Sequence, residues 1–180
     1  MHSTVDFGRH LDLPHLACAA PVVELLAWED GFGLASDIGD FLPLHRITKS
    51  IEFCYGHRLV GYAGKCRYLH GHNGLLEVDV DAERLDDMGM VVDFGEVRDL
   101  VKGWVDEHID HRMVLSRLDP VVPLLVESGE PVYLLDENPT AEALARHIFE
   151  KVETLGMTLS EVRLWETPTN LATYRRRRAR

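Results

Sequence analysis

Hydrophobic and polar residues alternate along two stretches of the chain, residues 51–57 and 76–81. Successive side chains of a strand point to opposite faces, so each stretch presents one apolar and one polar face. This pattern predicts two strands of a half-covered sheet. The apolar positions are Ile51, Phe53, Tyr55, Leu76, Val78 and Val80.

Two further stretches have helical periodicity. The first follows Asp93, a capping residue with Glu96 three positions on, and is expected to end before Asp110. The second follows Thr140, also a capping residue, and ends at Gly156. Their apolar stripes are Val97, Leu100, Val101, Trp104 and Val105, and Leu144, Ala145, Ile148, Val152 and Leu155.

The remaining pattern completes the predicted fold. We expect a loop over residues 116–130, a short strand over residues 132–135, and a last strand through Val162 and Leu164 that ends near Glu166. The order predicts an α+β fold, an antiparallel sheet with two helices on one face. The predicted domain spans residues 46–174. It is preceded by an extension of unknown role, residues 1–45, and followed by a basic tail, residues 175–180.

Composition narrows the functional classes. The net charge of −11 argues against general binding to nucleic acid or anionic membrane. Three irregularly spaced cysteines favour a reducing, cytoplasmic compartment over a disulfide framework. No apolar run is long enough to span a membrane, and the acidic start, with Asp6 and Asp12, is not typical of a signal peptide.

Candidate chemistry is concentrated in residues 66–72, where a thiol and two imidazoles occur together. His70 and His72 share one strand face, and His57 on the preceding strand is the candidate third ligand. Three protein ligands leave zinc an open position, which is typical of a catalytic site. The alternative for any single histidine is an ordinary core residue.

Three other positions carry alternatives. Cys66 is either a fourth ligand that closes the site, or a free thiol that acts as base or nucleophile. His111 either interacts with a helix C-terminus or transfers protons while Asp110 orients its ring. Glu166 is either a surface residue or a carboxylate that binds adjacent N–H groups, as in a pterin or guanine.

Together these residues resemble the 6-pyruvoyl-tetrahydropterin synthase and 6-carboxytetrahydropterin synthase family. The matching segments are residues 53–59, 66–73, 89–94, 110–111, 138–142 and 166–167. The resemblance implies a tunnelling fold that assembles into β-barrel homo-oligomers, usually hexamers of two trimers. The family often has small residues where this chain has Tyr55 and Gly56, and an aromatic or bulky residue where it has Gly74, so the shape of the pocket is expected to differ.

The resemblance also implies the site residues and the reaction. It assigns zinc to His57, His70 and His72, proton transfer to Cys66, Asp110 and His111, and substrate binding to Glu166 and Thr140. Cys66 is expected to act with an Asp-His pair from a neighbouring subunit. The implied substrate is 7,8-dihydroneopterin triphosphate.

Two products are compatible with these residues. We favour 6-carboxytetrahydropterin, released with acetaldehyde and triphosphate for queuosine synthesis, because Cys66 is spaced from His70 as in bacterial-type members. The alternative is a 6-pyruvoyl product of the tetrahydrobiopterin pathway. A non-catalytic pterin-binding protein, a zinc hydrolase and a structural zinc module are the further hypotheses. The terminal arginines are either a solvated tail or triphosphate ligands.

Overall fold

The structure is a computed structural model and describes residues 44–176. Our predictions for the segment before residue 44, including most of the extension, lie outside the described residues, as does the end of the basic tail. Within the described range, no helix is long and apolar enough to cross a membrane.

A six-stranded mixed sheet forms the frame of the domain. Its strands are β1 (His45–His57), β2 (His70–Ala82), β3 (Arg112–Ser116), β4 (Val132–Leu135), β5 (Glu161–Thr167) and β6 (Asn170–Tyr174). They are arranged in the order β4-β3-β1-β2-β5-β6. β1 pairs with β3 in parallel, as does β3 with β4, while the other three pairings are antiparallel.

The expectation of a purely antiparallel sheet is therefore wrong at one edge. β3 was not predicted because Val114, Leu115 and Ser116 are buried in succession. A short strand covered on both faces lacks the alternation that would reveal it. β6 was also not predicted, whereas the strands at β1, β2, β4 and β5 are confirmed.

Both predicted helices are present. The first consists of α1 (Phe94–Val97), a π-helical turn at Arg98–Lys102 and α2 (Gly103–His108) in continuous succession. A short helix, α3 (Val122–Glu127), lies within the stretch that we expected to be a loop. The second predicted helix is α4 (Ala141–Thr154).

The core lies between the helices and one face of the sheet. In the β1–β2 register Ile51 pairs with Leu76, and in the β2–β5 register Leu76 pairs with Leu164. These side chains belong to the same buried cluster as Val101 and Ile148 from the helices. Directly opposed residues of neighbouring strands lie on the same face of the sheet, so this register decides which side chains face the core.

The core-facing side chains of β1 and β2 continue into the candidate site. His57 pairs with His70, and Tyr55 pairs with His72, so all four side chains lie on the helix-covered face. Glu166 shares this face, because it lies two residues beyond Leu164 on β5. The predicted parity of the histidines with the apolar rows is confirmed.

Candidate metal centre and active site

Three histidines converge at one end of the β1–β2 ladder. The Nε2 atoms of His57 and His70 are 3.1 Å apart, and one ring nitrogen of each of the three histidines lies within 4.8 Å of the others. Nitrogens bound to one tetrahedral zinc ion, each about 2.0–2.1 Å from it, are roughly 3.3 Å apart. The cluster therefore has the spacing of a metal centre.

The hydrogen bonds of the rings leave the converging nitrogens free. His57 Nδ1 lies 2.7 Å from the carbonyl oxygen of Pro139, and His70 Nδ1 lies 2.8 Å from that of Tyr68. A carbonyl accepts only from a protonated nitrogen, so each ring keeps its lone pair on Nε2. His72 Nε2 is buried and has no hydrogen-bond partner within residues 44–176. A metal ion would satisfy all three nitrogens.

The charge state of His57 is also suited to a metal. Burial lowers the pKa of this imidazole, with further lowering from the other two histidines, and these effects outweigh the hydrogen bond to Pro139 and the charge of Glu166. The ring is therefore neutral at physiological pH, as a metal ligand must be.

Hydrogen bonds to the loops fix the C-terminal end of β1. The guanidinium of Arg58 donates to both oxygens of Asp119, whose side chain is fully buried. The side chain of Asn138 accepts from the Val60 amide at 2.8 Å and donates to its carbonyl at 2.9 Å. These bonds position the Pro139 carbonyl against His57.

Glu166 lies beside the histidines. Its Oε1 is 3.7 Å from His57 Nε2 and accepts a hydrogen bond of 3.0 Å from the Tyr55 hydroxyl. Tyr55 is only 3% exposed, and burial together with the Glu166 charge raises the pKa of its phenol. The hydroxyl therefore stays protonated and donates to the carboxylate.

Two of the positions that we expected to differ from the family, Tyr55 and Gly74, lie against each other in the structure. A Cβ added at Gly74 would lie 3.1 Å from the Phe53 ring and 3.3 Å from the Tyr55 ring. The missing side chain at residue 74 thus makes room for the two stacked aromatic rings. Tyr55 reaches Glu166 because Gly74 leaves that space.

Asp110 and His111 interact as predicted, but the thiol beside them is Cys54. Asp110 Oδ2 is 2.9 Å from His111 Nδ1, and Asp110 Oδ1 accepts from the Cys54 amide at 2.8 Å. Burial raises the pKa of Asp110, but these two hydrogen bonds outweigh it and hold the pKa below its usual range. Asp110 is thus a carboxylate that orients the His111 ring.

Two residues that we predicted to act on the substrate, Cys66 and Thr140, make structural hydrogen bonds within the chain. Cys66 is half-buried in the short 3₁₀ turn Lys65–Arg67, and its carbonyl accepts from the Leu59 amide at 2.8 Å. The Thr140 hydroxyl accepts from the Ala143 amide at 3.2 Å, so it caps α4. Their proposed roles toward a substrate stay predictions.

A cavity of about 620 Å³ lies beside part of the site. Its lining includes His70, His72, His111 and Arg112. Arg112 Nε is buried without a hydrogen-bond partner among the described residues. Sequence reasoning missed Arg112, although its place directly after Asp110-His111 was a usable signal.

The fold and the sequence place the protein in a known family. Residues 46–177 match 6-pyruvoyl tetrahydropterin synthase, and the chain belongs to this family. A Rickettsia bellii protein named 6-carboxy-5,6,7,8-tetrahydropterin synthase is 45% identical over 130 residues, which cover 68% of this chain and 94% of the relative. A Haemophilus influenzae protein of the same name is 30% identical over 139 residues, covering 73% and 99%.

Solved structures agree with this assignment. The 6-pyruvoyl tetrahydropterin synthase of Caenorhabditis elegans has a TM-score of 0.58 at 26% identity, covering 76% of this chain and 98% of that one. An uncharacterized protein from Wolinella succinogenes has a TM-score of 0.66 at 26% identity, covering 75% and 99%. The predicted family is confirmed.

Proposed function

We propose that the protein is a 6-carboxy-5,6,7,8-tetrahydropterin synthase. It would convert 7,8-dihydroneopterin triphosphate and water to 6-carboxytetrahydropterin, with release of acetaldehyde and triphosphate, in 7-deazaguanine and queuosine synthesis. The observation that carries the proposal is the three-histidine cluster with the Glu166 carboxylate 3.7 Å from His57 Nε2 on the same sheet face. The names of the curated relatives support the choice of product.

His57, His70 and His72 would hold the metal, and zinc suits three neutral imidazoles. Bound there, zinc would supply Lewis acidity toward the hydroxylated side chain of the substrate. Within residues 44–176 the cluster offers three ligands, so a remaining coordination position would be left to the substrate, as in a catalytic zinc site.

Glu166 would anchor the pterin ring. A carboxylate accepts two parallel N–H bonds, which matches the adjacent N–H groups at the edge of a pterin. Tyr55 already donates to Oε1 and so fixes the plane of the carboxylate. A ring bound by Glu166 would direct its C6 side chain toward the histidines.

Proton transfer would use the Asp110–His111 pair and the Cys66 thiol. Asp110 accepts from His111 Nδ1–H and leaves Nε2 to exchange protons with substrate. Cys66 is not in the cluster that Asp110 and His111 form with Cys54. We therefore propose that Cys66 acts with the Asp110–His111 pair of a neighbouring subunit in a homo-oligomer. A barrel-shaped hexamer in the cytoplasm is the corresponding form of the enzyme.

Arg112 would bind the leaving group. Arg112 lines the cavity, and its Nε atom is buried without a hydrogen-bond partner among residues 44–176. A triphosphate is a strong acceptor of charge-assisted hydrogen bonds. The terminal arginines fit this role less well, because Arg175 and Arg176 pair with Glu161 and Glu153.

The test is product analysis. Purified zinc-loaded protein is incubated with 7,8-dihydroneopterin triphosphate, and products are read by mass spectrometry with an acetaldehyde trap. We expect 6-carboxytetrahydropterin and acetaldehyde in equal amounts. A 6-pyruvoyl product without acetaldehyde would reassign the chain to the biopterin type, and bound zinc without turnover would contradict a catalytic role. A Cys66→Ala variant should bind zinc and pterin but lose turnover.

A further inference from the structure

A second cluster of metal-binding side chains lies outside the three histidines. It consists of Cys54, Asp110 and His111, and one ligand atom of each lies within 4.8 Å of the others. We propose that this cluster is a second cation site for zinc or a similar divalent transition metal, and that its occupation inhibits the enzyme. The inhibition rests on the proposed function of His111, but the binding does not.

Main-chain hydrogen bonds hold the cluster together. The His111 amide donates to the Cys54 carbonyl at 2.7 Å, and the Cys54 amide donates to Asp110 Oδ1 at 2.8 Å. These two bonds fasten the turn between α2 and β3 to β1. His111 has a φ of 56°, a left-handed conformation that residues other than glycine rarely adopt. The turn thus keeps an unfavourable backbone that brings the imidazole to the carboxylate.

The spacing of the donors suits a transition metal. His111 Nδ1 and Asp110 Oδ2 are 2.9 Å apart, slightly closer than the roughly 3.3 Å between two ligands of a tetrahedral zinc ion. The Cys54 sulfur now donates to Asn73 Oδ1 at 3.2 Å, so its lone pairs are available once the proton leaves. Small rotations of these side chains would close the site.

The donor set also selects the class of metal. A thiolate and an imidazole favour zinc, cobalt, nickel or copper, whereas magnesium and calcium prefer oxygen ligands alone. His111 is 79% exposed at its side chain, so a cation can reach it from solvent. The site is therefore expected to bind reversibly and more weakly than the three-histidine centre.

The two sites are on opposite faces of the sheet. Cys54 lies opposite Asn73 in the β1–β2 register, one residue out of phase with the Tyr55–His72 pair. A cation held by Cys54 would occupy the nitrogen through which Asp110 orients the His111 ring. It would also fix that ring in place, so proton transfer by His111 would stop while the first metal stays bound.

Binding can be tested with Co²⁺ on the full metal-free chain. We expect two binding steps, and the second should produce the intense sulfur-to-cobalt charge-transfer absorption that three imidazoles cannot give. Cys54→Ala should lose the second step and its absorption but keep the first. Cys18→Ser and Cys66→Ser are matched controls that should keep both. A Cys54→Ala variant with an unchanged second step would overturn the proposal, as would a single step in wild type.

Inhibition is measured separately. Activity of the wild type should rise with the first equivalent of Zn²⁺ and fall by tenfold or more as the second site fills. Cys54→Ala should reach the same maximum and then stay active in excess Zn²⁺. Equal inhibition of both proteins would refute the regulatory role. No turnover in either protein would count against the proposed function and leave the Co²⁺ result as the test of the site.

Discussion

Replacing Tyr55 by Phe removes one hydroxyl from the candidate pterin site and keeps the aromatic ring. That hydroxyl donates to Glu166 Oε1 at 3.0 Å, and the ring packs against Phe53 and His57. The ring contacts should survive the substitution, so the variant isolates the hydrogen bond that fixes the carboxylate. We expect weaker substrate binding with the metal centre intact.

The size of the expected change in KM follows from the surroundings of the Tyr55–Glu166 hydrogen bond. A hydrogen bond to a charged acceptor contributes about 1.5–3 kcal/mol. The Glu166 side chain is 18% exposed, so water can replace part of the lost interaction. We therefore take the lower end, about 1.5 kcal/mol, which corresponds to roughly a tenfold higher KM. Because the chemistry takes place beyond the pterin ring, kcat should change much less.

The assay compares KM and kcat of the wild type and Tyr55→Phe, with zinc content measured on the same samples. Tyr133→Phe is a matched control, because its hydroxyl bonds His147 Nε2 at 2.7 Å outside the residues that line the cavity. The control should keep the wild-type KM. An unchanged KM in Tyr55→Phe, or an equal rise in the control, would refute the positioning of Glu166 by Tyr55.

Four other substitutions test the rest of the site. His72→Leu removes a buried nitrogen that lacks a hydrogen-bond partner among the described residues, so the metal-free variant should stay folded. Zinc should no longer raise its melting temperature, and equal stabilisation by zinc in the variant and the wild type would contradict the role of His72 as a metal ligand. Arg112→Met should raise the KM for the triphosphate substrate more than the Kd for dihydroneopterin, and equal effects would exclude a triphosphate contact. The hydrogen bond from Arg58 holds the pKa of Asp119 below its value in the unfolded chain, so the stability that this ion pair contributes is present above about pH 4 and is lost as the pH falls further. In urea unfolding, the free energy of unfolding of Asp119→Asn should therefore fall less steeply toward acid pH than that of the wild type. Thr140→Ala removes a helix cap and should cost about 1 kcal/mol in urea unfolding, whereas Thr140→Ser should restore it.

The three-histidine cluster was predictable from the sequence because a strand has a fixed period. Once Leu76 is placed in the core, the period of two puts His72 and His70 on the same face. The alternation from Ile51 does the same for His57. No knowledge of the helices was needed, since the antiparallel register alone aligns His57 with His70.

The Cys54 cluster was not predictable in this way. Its members come from β1 and from the turn before β3, and β3 is too short and too buried to give a periodic signal. The parallel pairing of β3 with β1, which sets the position of that turn, depends on contacts between segments far apart in sequence. The resemblance pairs Cys66 with Asp110 and His111 and gives no sign of Cys54, whose thiol lies beside this pair within the chain.

Tyr55 shows why a single departure from a family pattern is hard to interpret alone. A tyrosine in place of a small residue at position 55 predicts a smaller pocket, provided that residue 74 on the neighbouring strand is bulky. The structure pairs that change with the glycine at residue 74, whose missing Cβ accommodates the ring. The added bulk therefore fills space released by the neighbouring strand and brings a hydroxyl to Glu166. We therefore expect Gly74→Ala to displace the Tyr55 ring and to raise KM in the same direction as Tyr55→Phe, because both changes release the same carboxylate.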